Sequence, residues 1–277
     1  MDLCNINTVN KILARHVFSF SKSLGQNFII DNSVCPTMAE LSQLDKNTGV
    51  IEIGAGIGVL TKELCERAGK VVCVELDERL FPILDETLAD CKNLEIIHAD
   101  IMKTDLKKLI EEHLSEYETI KVCANLPYYI TSPIIMYLLE NDADIDEIVV
   151  MVQKEAAERI CAGAGTKQTG ALSIAVEYRA EAEILFNVSK ECFTPSPKVN
   201  SAVIKLTLRK EKQNIQNEKM FFRVVRAAFS QRRKTAVNSI SSQMAINKSE
   251  LAKIFEEENI SATIRPEAMS MEDFEKV

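Results

Sequence analysis

The sequence predicts an α/β fold built on a mostly parallel sheet, followed by a small all-helical domain. Apolar, strand-like runs alternate with helical patterns through roughly the first 150 residues, as in β-α-β units. The first of these runs ends in a glycine-rich turn, which is typical of a strand leading directly into a helix. Beyond about residue 210 the helical patterns continue without a further strand candidate.

Five apolar runs are predicted to form the parallel strands. They cover residues 50–53, 70–76, 94–98, 120–124 and 145–152. The helices between them are predicted over about 59–68, 79–89, 105–114 and 132–140. Right-handed crossovers then place helices on both faces of the sheet. After a helical stretch at 172–178, strand-like runs at 182–188 and 202–208 are predicted to close the sheet as an antiparallel pair.

The remaining helical patterns determine the domain organisation. They cover about 5–17, 32–44, 218–230, 234–243, 248–258 and 270–277. Polar residues replace apolar ones over 210–217, so we place a domain boundary near residue 210. The predicted domains are an N-terminal helix or arm over 1–20, an α/β domain over 21–210 and a helical domain over 211–277.

Charge is distributed unevenly along the chain. The 277 residues carry a net charge of −8, which argues weakly against a nucleic-acid partner. The segment from Lys205 to Lys234, however, contains ten Lys and Arg residues and two Glu. Its net charge is +8, so the rest of the chain carries −16. Because salt screens distant charges, such a basic block can still follow a phosphate backbone. A solvated helix face is the alternative interpretation.

Eight scattered cysteines and three histidines form no metal-ligand pattern. No pair of cysteines has C-x-x-C spacing, and the histidines are not grouped with them, so we predict no metal site and no disulfide framework. Cys73 and Cys123 lie in apolar runs and are interpreted as core residues. No basic segment followed by an apolar one opens the chain, and no apolar run approaches membrane-spanning length. We therefore expect a reducing, cytoplasmic location.

The glycine-rich turn is the first motif that indicates a ligand. Gly54, Gly56 and Gly58 are spaced G-x-G-x-G, with Glu52 two residues before the first of them. Glycine permits positive φ angles and lets a ligand approach the backbone. The dinucleotide-binding pattern has its third glycine one place later. The tighter spacing is similar to the S-adenosylmethionine loop of Rossmann-like class I methyltransferases, the alternative being a tight turn without a ligand.

Acidic residues follow at the ends of the next two predicted strands. Glu75 lies 21 residues after Gly54, where a carboxylate can accept hydrogen bonds from both hydroxyls of a ribose. This position fits a nicotinamide cofactor as well as S-adenosylmethionine. Asp100 can accept a hydrogen bond from an adenine amine or cap the helix that follows. Asp77 is interpreted as a helix cap.

The fourth predicted strand ends in the tetrapeptide Asn125-Leu126-Pro127-Tyr128, which indicates the reaction. An exocyclic adenine amine is a poor nucleophile because its lone pair is delocalised into the ring. Oxygens that accept both N–H hydrogens favour a more pyramidal nitrogen, and the Asn125 side chain and the Leu126 carbonyl supply two. Pro127 stiffens the turn and Tyr128 offers a face for stacking. A plain surface turn is the alternative.

The order of these motifs resembles the ribosomal RNA small-subunit adenine N6,N6-dimethyltransferase family over nearly the whole chain. The segment 22–28 resembles the family's part that folds over the cofactor. The resemblance implies a set of S-adenosylmethionine-binding residues: Gln26, Asn27, Ile29, Gly54, Gly56, Glu75, Asp100, Ile101 and Asn125. It also implies that the tetrapeptide is catalytic, with Asn125 beside the transferred methyl group.

Two later segments extend the resemblance. Residues 193–203 resemble the family's late motif, whose aromatic residue, Phe193, is expected to pack against the flipped base opposite Tyr128. Residues 229–235 resemble the basic start of its helical domain. The expected RNA-binding residues are Arg223, Arg226, Arg232, Arg233 and Lys234. Ala55 and Ser196 stand where the family often has proline, and neither removes a group that the chemistry needs.

The resemblance implies dimethylation of two adjacent adenosines in a hairpin loop near the 3′ end of small-subunit (16S) ribosomal RNA. It further implies a role in ribosome biogenesis, an immature 30S particle as partner and a monomer. A sister family that methylates large-subunit RNA and confers antibiotic resistance commonly has Ile at position 126 and Lys at position 57; this chain has Leu126 and Ile57. The sequence also leaves open a nicotinamide-dependent oxidoreductase and a non-catalytic RNA-binding assembly factor.

Overall fold

The structure is a computed structural model. It describes residues 1–21, 24–141, 143–210, 215, 217–231 and 233–277. The described chain divides into two compact units. Unit 1 comprises Met1–Ala157 and Glu183–Leu208, and unit 2 comprises Glu158–Ala182 and Arg209–Val277. The division differs from the predicted domain ranges because residues 158–182 group with the C-terminal helices.

A seven-stranded sheet forms in the described residues. Its strands are β2 (Thr48–Ile53), β3 (Lys70–Glu75), β4 (Leu94–His98), β5 (Thr119–Asn125), β6 (Glu147–Gln153), β7 (Ala180–Val188) and β9 (Ser201–Leu208). Their order is β4-β3-β2-β5-β6-β9-β7. The first five strands pair in parallel, and β9 runs antiparallel to β6. The predicted fold class and the strands that define it are confirmed.

The order of the strands reverses between β2 and β5, which lie side by side. The register pairs Ile51 with Val122 and Glu52 with Cys123, so both strands end at the same edge of the sheet. Ligands in open α/β sheets bind outside the carboxyl ends of the strands at such a switch point. The glycine turn after β2 and the tetrapeptide that ends β5 therefore meet here.

Helices cover the sheet of unit 1 and its flanks. They are α1 (Ile6–Arg15), α2 (Val34–Leu41), α3 (Val59–Arg67), α4 (Phe81–Thr87), α5 (Leu106–His113), α6 (Thr131–Glu140) and α7 (Lys154–Ile160). All but α7 were predicted; this short helix begins directly after β6, without an intervening turn. Helix α1 packs its buried residues Val9 and Ile12 into a core cluster that includes Leu80 and Ile83.

A short antiparallel pair joins two segments that are distant in sequence. Strands β1 (Phe28–Ile29) and β8 (Phe193–Thr194) pair with Phe28 opposite Thr194 and Ile29 opposite Phe193. Neither strand was predicted, because two residues carry no periodicity and their pairing is nonlocal. The pair anchors the N-terminal cofactor segment to the late motif.

Unit 2 is built around a central amphipathic helix. Its helices are α8 (Ala171–Arg179), α9 (Glu218–Phe229), α10 (Ala236–Met244), α11 (Lys248–Glu257) and α12 (Met271–Lys276). Helix α9 buries Phe221 and Phe222, and the Tyr178 ring of α8 lies 4.8 Å from the Phe221 ring between centroids. The predicted C-terminal helices are confirmed. In the part of the chain that is described, no helix is long and apolar enough to cross a membrane.

Candidate active site

A cavity of about 1120 Å³, its open mouth included, lies at the switch point of the sheet. Twelve of the predicted catalytic and cofactor-binding residues line it: Gln26, Asn27, Ile29, Gly54, Gly56, Glu75, Asp100, Ile101, Asn125, Leu126, Pro127 and Tyr128. These residues come from five segments of the sequence. The parallel strands bring their ends together, and the β1–β8 pair holds the N-terminal segment beside them.

The glycine turn has two positions with different demands. Gly54 has a φ of +77°, and a Cβ atom added there would meet nothing within 4 Å. Gly58 has a φ of +90°, but a Cβ atom there would lie 2.8 Å from the Leu88 side chain. Both positions need glycine for their left-handed backbone. Only Gly54 faces open space, which a ligand can occupy.

Glu52 is a buried carboxylate without a partner. Its side chain is 1% exposed, and it lines the cavity. Neither carboxylate oxygen has a hydrogen-bond partner among the described residues. Burial raises the pKa of Glu52 to about 8, against a smaller opposing effect of the Thr61 hydroxyl. Glu52 was located from the sequence but was assigned no role. Its burial results from the packing of the sheet, which the sequence does not display. Such a group accepts a hydrogen bond or cation from a ligand.

Glu75 is held in place at the end of β3. Its Oε1 accepts a hydrogen bond from the backbone N–H of Asp77 at 2.8 Å, and the side chain is buried. Burial raises the pKa of Glu75, and backbone N–H groups of Asp77 and Gly56 oppose this rise. The carboxylate is therefore oriented by the backbone before any ligand arrives.

Asp100 caps a short 3₁₀ turn rather than the helix predicted over 105–114, and its role toward an adenine amine stays a prediction. It lines the cavity, and its Oδ1 accepts a hydrogen bond from the backbone N–H of Met102 at 3.0 Å, which caps a short 3₁₀ turn. Its other carboxylate oxygen lies 3.6 Å from the ammonium group of Lys103. Asp105, in turn, caps α5.

The N-terminal segment is tied to the strand ends by polar contacts. The Gln26 side chain donates to Asp77 at 2.7 Å, and the Arg79 guanidinium lies 2.6 Å from the same carboxylate. The hydrogen bond from Arg79 lowers the pKa of Asp77. Asp77 also accepts from the backbone N–H of Arg79, so its predicted capping role is confirmed. This network holds Gln26 at the wall of the cavity.

Asn125 ends β5 with a defined amide orientation. Its Nδ2 donates to the backbone oxygen of Asn27 at 3.5 Å. Asn27 in turn donates to the backbone oxygen of Gly25 at 3.0 Å. Because the nitrogen of the Asn125 amide is engaged, its oxygen remains as the acceptor that the amide offers to a ligand.

The rest of the tetrapeptide is fixed by backbone contacts. The N–H of Leu126 donates to the carbonyl of Met151, and the N–H of Ile130 donates to the carbonyl of Pro127, both at 3.1 Å. The Thr131 hydroxyl donates to the same Pro127 carbonyl at 3.1 Å. The turn is thus rigid from both sides, which is what a site that aligns two reacting groups requires.

Two aromatic residues of the predicted site have different surroundings. The Tyr128 ring is partly buried, lines the cavity and has its hydroxyl 2.6 Å from the Ser201 Oγ. Phe193 is 3% exposed, packs within the core cluster around β1 and is not among the residues that line the cavity. The structure therefore does not bring Phe193 to the cavity, and its stacking role stays a prediction.

Sequence reasoning missed two residues near Tyr128. Ser201 lies in the late motif over 193–203, and Tyr129 directly follows the tetrapeptide; neither residue was assigned a role from the sequence. Tyr129 lines the cavity mouth with 57% of its surface exposed. A polar residue at the start of an apolar strand was the available indication for Ser201. Its partner is 73 residues away, so no local pattern reveals it.

The basic block is divided in the structure. Lys205 and Arg209 pair with the carboxylates of Glu183 and Glu181 at 2.6 and 3.1 Å. The described residues that were predicted to bind RNA have exposed positions in unit 2: Arg223 and Arg226 on α9, and Arg233 and Lys234 after it. Arg232 lies outside the described residues.

The fold and the cavity together define a class of protein. A mostly parallel sheet carries a Gly-x-Gly-x-Gly turn at its switch point and an acidic residue at the end of the neighbouring strand. This combination is that of the Rossmann-like, S-adenosylmethionine-dependent methyltransferases.

The chain belongs to the ribosomal RNA adenine dimethylase family, whose model matches residues 17–275. Ribosomal RNA small subunit methyltransferase A of Bacillus licheniformis is 44% identical to this chain. The alignment of 277 residues covers 99% of this chain and 95% of that relative. The protein of the same description from Clostridioides difficile is 44% identical over 273 residues, covering 98% and 94% of the two chains. The chain is thus a methyltransferase that uses S-adenosylmethionine and acts on ribosomal RNA.

Solved structures support the same fold. A dimethyladenosine transferase from Plasmodium falciparum superposes with a TM-score of 0.73 at 24% identity, covering 90% of this chain and 95% of that one. The 23S rRNA methyltransferase ErmE superposes with a TM-score of 0.64 at 24% identity, covering 90% and 97%. At this level of identity the likeness concerns the fold.

S-adenosylmethionine fits the residues that line the cavity. The unpartnered carboxylate of Glu52 suits the ammonium end of its methionine part, and the space beside Gly54 accepts that part of the molecule. Glu75 suits the ribose hydroxyls, and Asp100 suits the adenine amine. When bound, the cofactor supplies a methyl group activated by a sulfonium.

Proposed function

We propose that this protein dimethylates the N6 amines of two adjacent adenosines in a hairpin loop near the 3′ end of small-subunit (16S) ribosomal RNA. The observation that carries the proposal is the position of Asn125, at the switch point beside Gly54 and Glu75, with its amide oxygen available as an acceptor. The names of the relatives, small subunit methyltransferase A, support the choice of RNA.

The tetrapeptide performs the chemistry by hydrogen bonding. The Asn125 oxygen and the Leu126 carbonyl accept the two N–H hydrogens of the target amine, which frees its lone pair for attack. No histidine is among the described residues that line the cavity. None is needed as a strong base, since the nitrogen becomes acidic as it is alkylated. The rate then comes from alignment and from acceptors placed in advance.

The target adenine has to leave its stack to reach Asn125, as in other enzymes that modify bases. Tyr128 offers a ring on the cavity wall against which the extruded base stacks. The rigid turn around Pro127 keeps this ring and the two acceptors in one geometry. Phe193, the cross-strand partner of Ile29, stays in this proposal as the residue that packs against the base opposite Tyr128.

RNA binding is assigned to the helical domain over 211–277. Its support is the row of exposed basic residues on and after α9, among them Arg223 and Arg226. These contact phosphates and hold the folded RNA of an immature 30S particle, on which the protein acts as a monomer during subunit biogenesis.

The first experiment is methyl transfer from labelled S-adenosylmethionine to immature small subunits that lack the modification. The wild type transfers label, and Asn125→Ala lowers kcat by about 10²- to 10³-fold because an acceptor of the transition state is lost. Asn238→Ala, a change in unit 2, is the control and leaves kcat within twofold. Label on large-subunit RNA, with none on small subunits, would contradict the proposal.

The RNA-binding assignment has a separate test. Arg223→Ala weakens RNA binding about equally for all sequences and lowers the slope of log K against log salt by about 0.7 to 0.9, one phosphate contact. Arg209→Ala is the matched control, because its guanidinium already pairs with Glu181. Equal salt slopes in the two variants would remove Arg223 from the RNA interface.

A further inference from the structure

Ser201 and Tyr128 meet because of the direction of one strand. The parallel strand β6 ends at the edge where the cavity lies, and β9 runs antiparallel to it, so β9 begins at that edge. Ser201 is the first residue of β9 and pairs with Gln153, the last residue of β6. The strand thus delivers a hydroxyl to the turn that carries Tyr128.

The contact between the two hydroxyls is short and shielded. The Tyr128 hydroxyl and the Ser201 Oγ are 2.6 Å apart, and Ser201 has no exposed surface. A tyrosine hydroxyl in such surroundings needs a partner, because an unpaired polar group away from water is costly. Burial raises the pKa of Tyr128, and the hydrogen bond with Ser201 opposes this rise. The pair therefore satisfies two groups that have little access to water.

Ser201 itself has little freedom to move. Its backbone lies in the ladder between β6 and β9, and the preceding residue, Asn200, accepts a hydrogen bond from the backbone N–H of Lys154 at 3.0 Å. The Asn200 side chain also accepts from the backbone N–H of Lys190 at 3.1 Å. A hydroxyl on such a support fixes the direction of the ring that it holds.

We propose that Ser201 is a positioning residue that sets the plane of the Tyr128 ring for stacking of the target adenine. The inference rests on the proposed function, since it concerns the same site. An adenine that stacks on this ring must present its amine to the Asn125 oxygen and the Leu126 carbonyl together. If the plane of the Tyr128 ring were not fixed, the stacked adenine would adopt several orientations. In some of these its amine would not reach both acceptors. Ser201 therefore acts on the rate more than on RNA affinity.

The test is a double-mutant cycle on kcat with Ser201→Ala, Tyr128→Phe and the double variant. Each single change removes one side of the same hydrogen bond and lowers kcat about five- to tenfold, which corresponds to one hydrogen bond. The double variant is no slower than either single variant, because the interaction can be lost only once. The Kd values for S-adenosylmethionine and for RNA change less than twofold.

Ser42→Ala is the matched control. Ser42 is equally buried in unit 1, and its hydroxyl donates to the Met38 carbonyl at 2.8 Å, away from the cavity. It reports what the loss of a buried serine hydrogen bond does to the fold alone. Thermal midpoints of the two serine variants are compared, and kcat of Ser42→Ala stays within twofold of the wild type.

A fluorescent base reports the stacking directly. The chain contains no tryptophan, so 2-aminopurine placed at the target position of the RNA can be excited selectively. Stacking on Tyr128 quenches its emission, and Ser201→Ala gives brighter emission than the wild type at saturating protein. Ser42→Ala gives the emission of the wild type.

The outcomes separate the two proposals. If the wild type is active on small subunits and Ser201→Ala has wild-type kcat and emission, the positioning role is wrong and the proposed function stands. Effects of the two single changes that multiply in the double variant also overturn it. If the wild type transfers no methyl group to small-subunit RNA, both proposals fail.

Discussion

The two halves of the cavity are built in different ways. The cofactor half, formed by Glu52, Gly54, Glu75 and Asp100, presents carboxylates and a glycine turn at the ends of β2, β3 and β4. The base half, formed by the tetrapeptide at 125–128, presents an amide oxygen, carbonyls and a ring on a turn. One half is suited to hydroxyls and positive charge, and the other to a flat, neutral base.

Under the proposed function, this difference corresponds to the different chemistry of the two ligands. Burying a carboxylate such as Glu75 costs free energy of desolvation. Hydrogen-bond donors of a bound ligand offset this cost. A base offers a face and two N–H groups, so the base half needs neutral acceptors in fixed positions and no charge. The tetrapeptide is held by hydrogen bonds with residues outside it: it donates to the backbone oxygens of Asn27 and Met151, and the Tyr128 hydroxyl pairs with that of Ser201.

The largest expected effect on ligand affinity tests whether the two halves of the cavity bind their ligands separately. Glu75→Gln raises the Kd for S-adenosylmethionine by about 10- to 100-fold, because charge-assisted hydrogen bonds are worth about 1.5–3 kcal/mol. The Kd for RNA stays unchanged, as calorimetry and filter binding will show. Glu66→Gln, an exposed change on α3, is the control. A lower RNA affinity in Glu75→Gln alone would mean that the two halves are not separate.

A smaller effect on the affinity for the cofactor sharpens the description of the cofactor half. Gly54→Ala and Gly58→Ala both force a Cβ atom into a left-handed conformation, at about 1–2 kcal/mol each. Gly58→Ala also presses on Leu88 and loses about 2–4 kcal/mol of stability in all. Gly54→Ala loses less stability but raises the cofactor Kd about tenfold, since its methyl group enters the open space.

Urea unfolding and cofactor titration of the two glycine variants give the comparison. The pattern to look for is a crossover, with one variant weaker in stability and the other weaker in cofactor binding. If Gly54→Ala binds the cofactor as the wild type does, the open space beside Gly54 is not where the cofactor lies.

The last prediction concerns Glu52 and the pH dependence of stability. Its pKa is about 8 in the folded protein, above the ordinary value of 4.5, so the folded state holds the proton between these pH values. The free energy of unfolding therefore falls as the pH rises from 4.5 towards 8, by at most about 1.4 kcal/mol per pH unit, and levels off above 8. Glu52→Gln lacks this loss, and urea unfolding of both proteins at several pH values between 5 and 9 measures it. Parallel curves would show that Glu52 is ionised in the fold.

Much of the site was predictable because its motifs are local. Gly54 directly follows β2, Glu75 and Asn125 end β3 and β5, and parallel strands place such residues at one edge. Phe193 was predicted to face a base, yet it lies in the core opposite Ile29. The β1–β8 pair that decides this has only two residues per strand, too few for any periodicity.

The two-unit division shows the same limit. The predicted boundary near residue 210 follows a change in composition, which a sequence displays. Within residues 158–182, the predicted helix over 172–178 has an ordinary helical pattern, which does not indicate what the helix packs against. The contact of Tyr178 with the Phe221 ring places that segment in unit 2.

The sequence by itself determined the α/β class and the motifs at the strand ends, and the family resemblance of these motifs implied the kind of cofactor and base. Periodicity and spacing act over a few residues, and these features depend on nothing longer. Only the tertiary structure decided the orientation of the Asn125 amide, the isolation of the Glu52 carboxylate and the hydrogen bond between Tyr128 and Ser201. Each of these depends on what a distant segment places within a few ångströms, and side-chain chemistry at that range follows from packing.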